Sequence, residues 1–124
     1  MWIMTTAGFF SIVADRDHPD QMLVRARDRD HLVRLSAQCD LSGAIHETPN
    51  ADYACRMFLS REEFLRVLDR VGRDVDYPNF KDAAAHVFGH DAAYVQALHD
   101  VWGVMYFALQ VGASVSADSA TGRP

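Results

Sequence analysis

The chain lacks the spacings on which most sequence-readable chemistry rests. Its two cysteines, Cys39 and Cys55, form neither a CxxC pair nor a finger-like ligand set, so both read as free, packed thiols in a reducing compartment. There is no GxSxG elbow, no GxGxxG or GxxxxGK phosphate loop and no HExxH, which removes the usual signatures of nucleophilic, nucleotide-cradling and zinc-hydrolytic sites. No apolar run approaches the roughly 18 residues of a membrane span. The opening WIMTTAGFFSIVA has no basic flank and is interrupted by Thr5, Thr6 and Gly8, so it makes a poor signal peptide. A cytoplasmic setting without a membrane partner is expected. Positive charge is also short. Twelve Lys and Arg stand against 17 Asp and Glu, for a formal charge of −5, which argues against a generic nucleic-acid coat and leaves room only for a local basic patch.

What the chain does have is ordinary core-forming material. Of 124 residues, 49% are apolar and 23% charged, enough for one domain whose core needs no staples. We place that domain at residues 1–112. Residues 113–124, within the small and polar GASVSADSATGRP, are expected to be a flexible tail.

Residues 2–14 are aromatic and β-branched and read as a strand, with Gly8 as a bulge or bend. DRDHPDQ is a turn. Residues 22–27 then resume as an antiparallel strand, with Met22, Val24 and Ala26 on one face and Leu23, Arg25 and Arg27 on the other. A helix follows, capped by Asp28 or Asp30 and carrying Leu32, Leu35 and Cys39 on one stripe. Residues 44–60 read as two short strands around the Pro49–Asn50 turn.

Ser60 and Glu63 form an S-x-x-E capping box before Phe64, Leu65, Val67, Leu68 and Val71 at helical spacing. Phe80, Ala84, Val87 and Phe88 mark another helix, with Pro78 in its first turn, Asp76 or Tyr77 as cap and Gly89 at its end. Asp91 is the expected cap of the last helix. Its stripe of Tyr94, Ala97, Leu98, Val101, Met105 and Leu109 is widened by Trp102, Tyr106 and Phe107, which suits a core element or an oligomer contact. The expected fold is α+β: a single domain with an antiparallel sheet of about four strands in the order ββαββ, backed by C-terminal helices.

Three residue sets carry candidate chemistry. His86 and His90 stand four apart, with His99 and the acids Asp82, Asp91 and Asp100 nearby; a metal needs three or four converging ligands, and Gly89 interrupts the first pair, so no metal or cofactor is assigned. DVDYPNFK groups Tyr77, Asn79 and Lys81 around a proline, as the lip of an anion site or as a helix joint. Arg25, Arg27 and Arg56 lie on strands that adjacency would bring together. Such a face takes phosphate or carboxylate in bidentate fashion, or is neutralised across strands by Asp28, Asp30 and Glu47.

The segments GFFS, VRAR, ETPNADY, DYPNFKD and VWGVMYFALQ resemble the signature segments of a widespread family of small bacterial and phage-associated proteins. The resemblance covers about Gly8 to Gln110 and departs at Ala54 and Cys55, where the family segment usually reads Tyr-Pro-Tyr-Arg. It implies a shared fold and a cytoplasmic setting, and carries no activity with it. It also singles out polar and aromatic residues that a core does not require, among them Thr48, Asp52, Tyr53, Arg56, Tyr77, Asn79 and Lys81; these suit a buried polar network or a binding surface.

The leading expectation is a non-enzymatic interaction protein that docks on a protein partner or a second copy through Trp102, Tyr106 and Phe107. The alternatives are nucleic-acid or nucleotide binding through Arg25, Arg27, Arg56 and Lys81, nucleic-acid mimicry by an acidic surface, and a metal-assisted enzyme built on His86, His90 and His99.

Overall fold

The computed structural model describes residues 1–112; the tail expected at 113–124 lies outside the described residues. The chain divides into two compact units, Met1–Ala83 and the residues from Ala84 onward.

The first unit is an open antiparallel sheet with helices on one face. Strands β1 (Trp2–Thr5), β2 (Gly8–Ala14), β3 (Gln21–Ala26), β4 (His46–Glu47) and β5 (Cys55–Ser60) are ordered β1-β2-β3-β5-β4. The α+β class and antiparallel sheet are as expected, but there are five strands, because residues 2–14 fold into a hairpin. Its turn is drawn together by the Thr5 hydroxyl, which accepts from the N–H groups of Ala7 at 2.9 Å and Gly8 at 3.3 Å. Gly8 does not merely bend the strand. It adopts φ +144° directly beneath His31, a conformation and a proximity that only glycine tolerates.

Helix α1 (Arg29–Cys39) packs on β2, β3 and β5, and α2 (Arg61–Arg73) packs on β3 and β5. Asp28, not Asp30, caps α1 by accepting from Asp30 N–H at 2.9 Å. The capping box of Ser60 and Glu63 is formed in both directions, each bond 3.0 Å long. The alternation read in β3 holds: Met22, Val24 and Ala26 point to the core. They meet Phe10 and Ile12 of β2, Cys55, Met57 and Leu59 of β5, Leu32 and Leu35 of α1, and Phe64 and Val67 of α2. Burying each of the larger of these side chains contributes about 1.5–3 kcal/mol. The strand residues among them all come from one face of the sheet, the face that α1 and α2 cover.

Helix α3 (Phe80–Phe88), which runs across the Ala83–Ala84 boundary, ends at Gly89, whose φ of +100° makes it the left-handed cap the sequence suggested. The last helix, α4 (Ala93–Met105), is preceded by Ala92 at the cap position with no side-chain bond, so Asp91 does not cap it. From Tyr106 to Val111 the backbone widens into a π-helix, a rare geometry that recurs at functional sites. Val95 and Leu98 are buried, whereas Trp102, Val104, Met105, Phe107 and Leu109 are exposed. The end of this helix is therefore not core. Among the described residues, no helix is long and apolar enough to cross a membrane.

Candidate functional site

The face of the sheet away from α1 and α2 collects Arg25, Arg27, Tyr53 and Arg56, four of the residues singled out from the sequence. Cross-strand pairing places Trp2 opposite Ser11, Ser11 opposite Arg25, Arg25 opposite Arg56 and Arg56 opposite His46. These five residues form one row from edge strand to edge strand. A second row runs through Val13, Leu23 and Phe58, and Met4 and Phe9 lie opposite one another on the other side of the first. Alternation along a strand sends every second side chain to this face, so the rows follow from the same period that builds the core.

The segment between β4 and β5 lays Tyr53 across the face. The Arg25 and Arg27 guanidiniums both stack on its ring, at 4.7 and 4.4 Å from the centroid. Phe9 lies 6.4 Å from the same ring and 5.9 Å edge-on from Trp2. Arg25 donates to Ser11 Oγ at 2.8 Å and Arg56 to Thr48 Oγ1 at 2.7 Å. Leu23, Arg25, Ala51, Asp52, Tyr53 and Arg56 enclose a cleft of about 170 Å³.

The acids expected to neutralise these arginines are engaged elsewhere. Asp28 caps α1, Asp30 pairs with Arg34, and Glu47 pairs with Arg29 at 3.1 Å. Arg27 alone of the three finds a carboxylate, Asp52, at 3.1 Å. Among the described residues Arg25 and Arg56 form no ion pair, although they are direct cross-strand partners, and the Arg25 Nε–H is buried without an acceptor. Like charges directly opposite one another are destabilising, so this face holds a small positive focus on an otherwise acidic chain.

Tyr77, Asn79 and Lys81 gather instead at the entry to α3. Asn79 Oδ1 accepts from Asp82 N–H at 3.0 Å while its carbonyl accepts from Ala83. It is the helix cap, in the role the sequence reading gave to Asp76 or Tyr77, and Tyr77 packs its ring 6.0 Å from Phe80. DVDYPNFK thus supplies the cap of α3. Nearby, Asp74 accepts from Gln38 of α1 at 2.9 Å and from Arg70 of α2 at 2.8 Å. These bonds hold its carboxyl below the usual range and tie the end of α2 to α1.

Sequence reasoning passed over Trp2, Phe9, Ser11, His46 and Phe58 as members of the face, and His31 altogether. The period of 2 would have placed Phe9 and Ser11; the pairing of His46 with Arg56 needed the tertiary fold. His31 is buried, with Nδ1 accepting from Phe9 N–H at 3.2 Å and its ring edge-on to Phe10. Burial pushes its pKa below 6.5, against the pull of Asp28 and Asp30.

The other chemistries find little geometry. Burial raises the pKa of both thiols, Cys39 and Cys55, which keeps them protonated and poorly nucleophilic. His86 and His90 are separated by the helix end at Gly89. No three His, Cys, Asp or Glu side chains among the described residues come together as metal ligands would.

The other surface is the end of α4. Trp102 and Tyr106 stack at 5.4 Å with planes 2° apart, and Phe107 meets Tyr106 edge-on at 5.4 Å. Beside them His99, Asp100, Gly103, Val104, Phe107 and Ala108 line a shallow groove. No family model, no curated protein and no solved structure matches this chain.

Proposed function

We propose that the protein is a non-enzymatic interaction protein that associates with a second copy of itself through the end of α4 and the π-helical segment. One observation carries the reading. Residues Val101 to Val111 include no Asp, Glu, Lys or Arg, yet Val104, Phe107 and Leu109 are each at least 64% exposed and Trp102 57%. A contiguous exposed apolar surface of this kind marks an interaction site, and aromatic anchors are the residues that interfaces favour. A second copy suits it because a self-complementary contact presents the same patch from both sides, and an uncharged patch meets itself without like-charge conflict. The stacked Trp102 and Tyr106 offer a projecting slab. Beside that slab, Gly103, Val104, Phe107 and Ala108 form the apolar part of a groove whose rim carries His99 and Asp100.

The test is light scattering behind size exclusion across a range of concentrations, on wild type and on a Trp102→Asp/Phe107→Asp variant. Wild type is expected to run as a dimer or larger, and the variant as a monomer with the far-ultraviolet circular dichroism of wild type, melting lower only by what association contributes. A wild-type monomer at every concentration overturns self-association.

A further inference from the structure

We infer that the face of the sheet away from α1 and α2 binds single-stranded nucleic acid beside Tyr53, with a backbone phosphate held between Arg25 and Arg56 and bases stacked on Trp2 and Phe58. This inference stands on a different unit from α4 and does not depend on self-association.

The argument begins with charge. Arg25 and Arg56 are cross-strand partners, neither has a carboxylate, and both lie on the wall of the cleft. Ser11 and Tyr53 hold Arg25 from the side and from the ring face, and Thr48 holds Arg56. Neutral partners orient both guanidiniums without cancelling their charge. An anion placed between them removes the repulsion that the pairing creates and accepts from donors already fixed in direction.

The flanking groups choose among anions. A carboxylate side chain would use the arginines and nothing else on the face. Here, however, the same row ends in Trp2, which is 67% exposed, and Phe58, 39% exposed, lies two residues along β5 from Arg56. The His46 ring meets Phe58 edge-on at 5.8 Å. With strands about 4.8 Å apart and residues about 3.4 Å apart along a strand, Trp2 lies roughly 10 Å from Arg25 and Phe58 roughly 7 Å from Arg56. A phosphate on the arginine pair therefore places its neighbouring bases within reach of flat, exposed rings. Phosphate contacts beside aromatic platforms are how proteins hold single strands without reading sequence. A duplex offers the same phosphates but keeps its bases stacked inside. The acidic total charge does not oppose this locally, because Asp52 on the cleft wall is already paired with Arg27.

The experiment is fluorescence anisotropy of a labelled short oligothymidylate titrated with the full chain, compared with a duplex of equal length and with polyglutamate as competitor. A Trp102→Phe variant leaves Trp2 as the only tryptophan, whose emission reports stacking directly. The single strand is expected to bind at about 50 mM salt and to weaken toward about 200 mM. Trp2→Ala is expected to lose about fivefold or more, the lower end of one base's stacking. Arg56→Gln should weaken binding and flatten the salt dependence, with Arg25 left to hold the phosphate, without lowering the melting temperature, since it removes a like-charge neighbour. No binding up to about 100 µM protein, the weak end of sequence-independent binding, overturns the inference. So do equal binding of the duplex, indifference to Trp2→Ala, and stronger binding of polyglutamate, which would make the arginine pair a carboxylate site.

Discussion

Replacing Gly8 with alanine probes how the first hairpin is locked to α1. Gly8 holds φ at +144°, and a Cβ built there lies 2.5 Å from both Cβ and Nδ1 of His31 and closer still to the ring carbon between them. The backbone conformation alone costs a non-glycine residue about 1–3 kcal/mol. The imidazole must also move, which breaks its bond from Phe9 N–H. A donor stranded in that way costs about 1–3 kcal/mol more. Together the two effects reach about 2–6 kcal/mol, a large part of the roughly 5–15 kcal/mol that holds a domain folded.

Equilibrium urea unfolding of wild type, Gly8→Ala, His31→Gly and the double variant separates the two, because only glycine at 31 removes both the ring and the Cβ that Gly8→Ala would meet. With His31 truncated there is nothing to displace, so Gly8→Ala should cost only its backbone share, about 1–3 kcal/mol. The difference between backgrounds is the coupling energy. Equal costs in both backgrounds would refute the argument that His31 is the obstacle, and a cost below about 1 kcal/mol in wild type would refute the backbone strain as well.

Two further outcomes follow from the joints of the fold. The neutral His31 ring is the form that accepts from Phe9 N–H, and burial places its folded pKa below the ordinary 6.5. The stability it contributes is therefore complete above pH 6.5 and is lost as pH falls toward the folded value. Melting temperatures measured from about pH 8 to about pH 5 should fall at the acid end for wild type and fall less for His31→Phe; parallel curves would remove His31 as the cause. Asn79→Ala should destabilise by about 0.5–2 kcal/mol through loss of the cap, and Asn79→Asp should retain most of it. Urea unfolding of an Asn79→Ala variant as stable as wild type would show that the bond to Asp82 N–H contributes nothing.

Much of the local structure was legible because it depends on neighbours in sequence. The capping box at Ser60 and Glu63, the stop at Gly89 and the alternation of Met22, Val24 and Ala26 each rest on a few adjacent residues, and each stands as read. The errors lie where two local signals compete. Residues 2–14 have continuous strand propensity, and nothing local says that Thr5 will gather two N–H groups into a turn or that Gly8 must pass under an imidazole 23 residues later. Similarly, Trp102, Tyr106 and Phe107 continue the helical stripe of α4, and a stripe cannot announce whether anything lies against it. Their exposure makes them a surface.

The candidate sites divide the same way. The sequence by itself determined that the chain is α+β and that Arg25 and Arg27 share a strand face. Those conclusions rest on periodicity and composition, which need no partner. Only the tertiary structure decided which acids reach which arginines. Asp28, Asp30 and Glu47 were all near enough in sequence to neutralise the face, but a helix cap, an (i, i+4) pair and Arg29 take them. Register then set Arg56 opposite Arg25 and His46 opposite Arg56. A shift of one residue in β5 would have turned Arg56 into the core and Cys55 outward, because successive strand residues alternate faces. That register is fixed by burial of Cys55, Met57 and Leu59 against α1 and α2, so the packing of the hidden face decides what the open face displays.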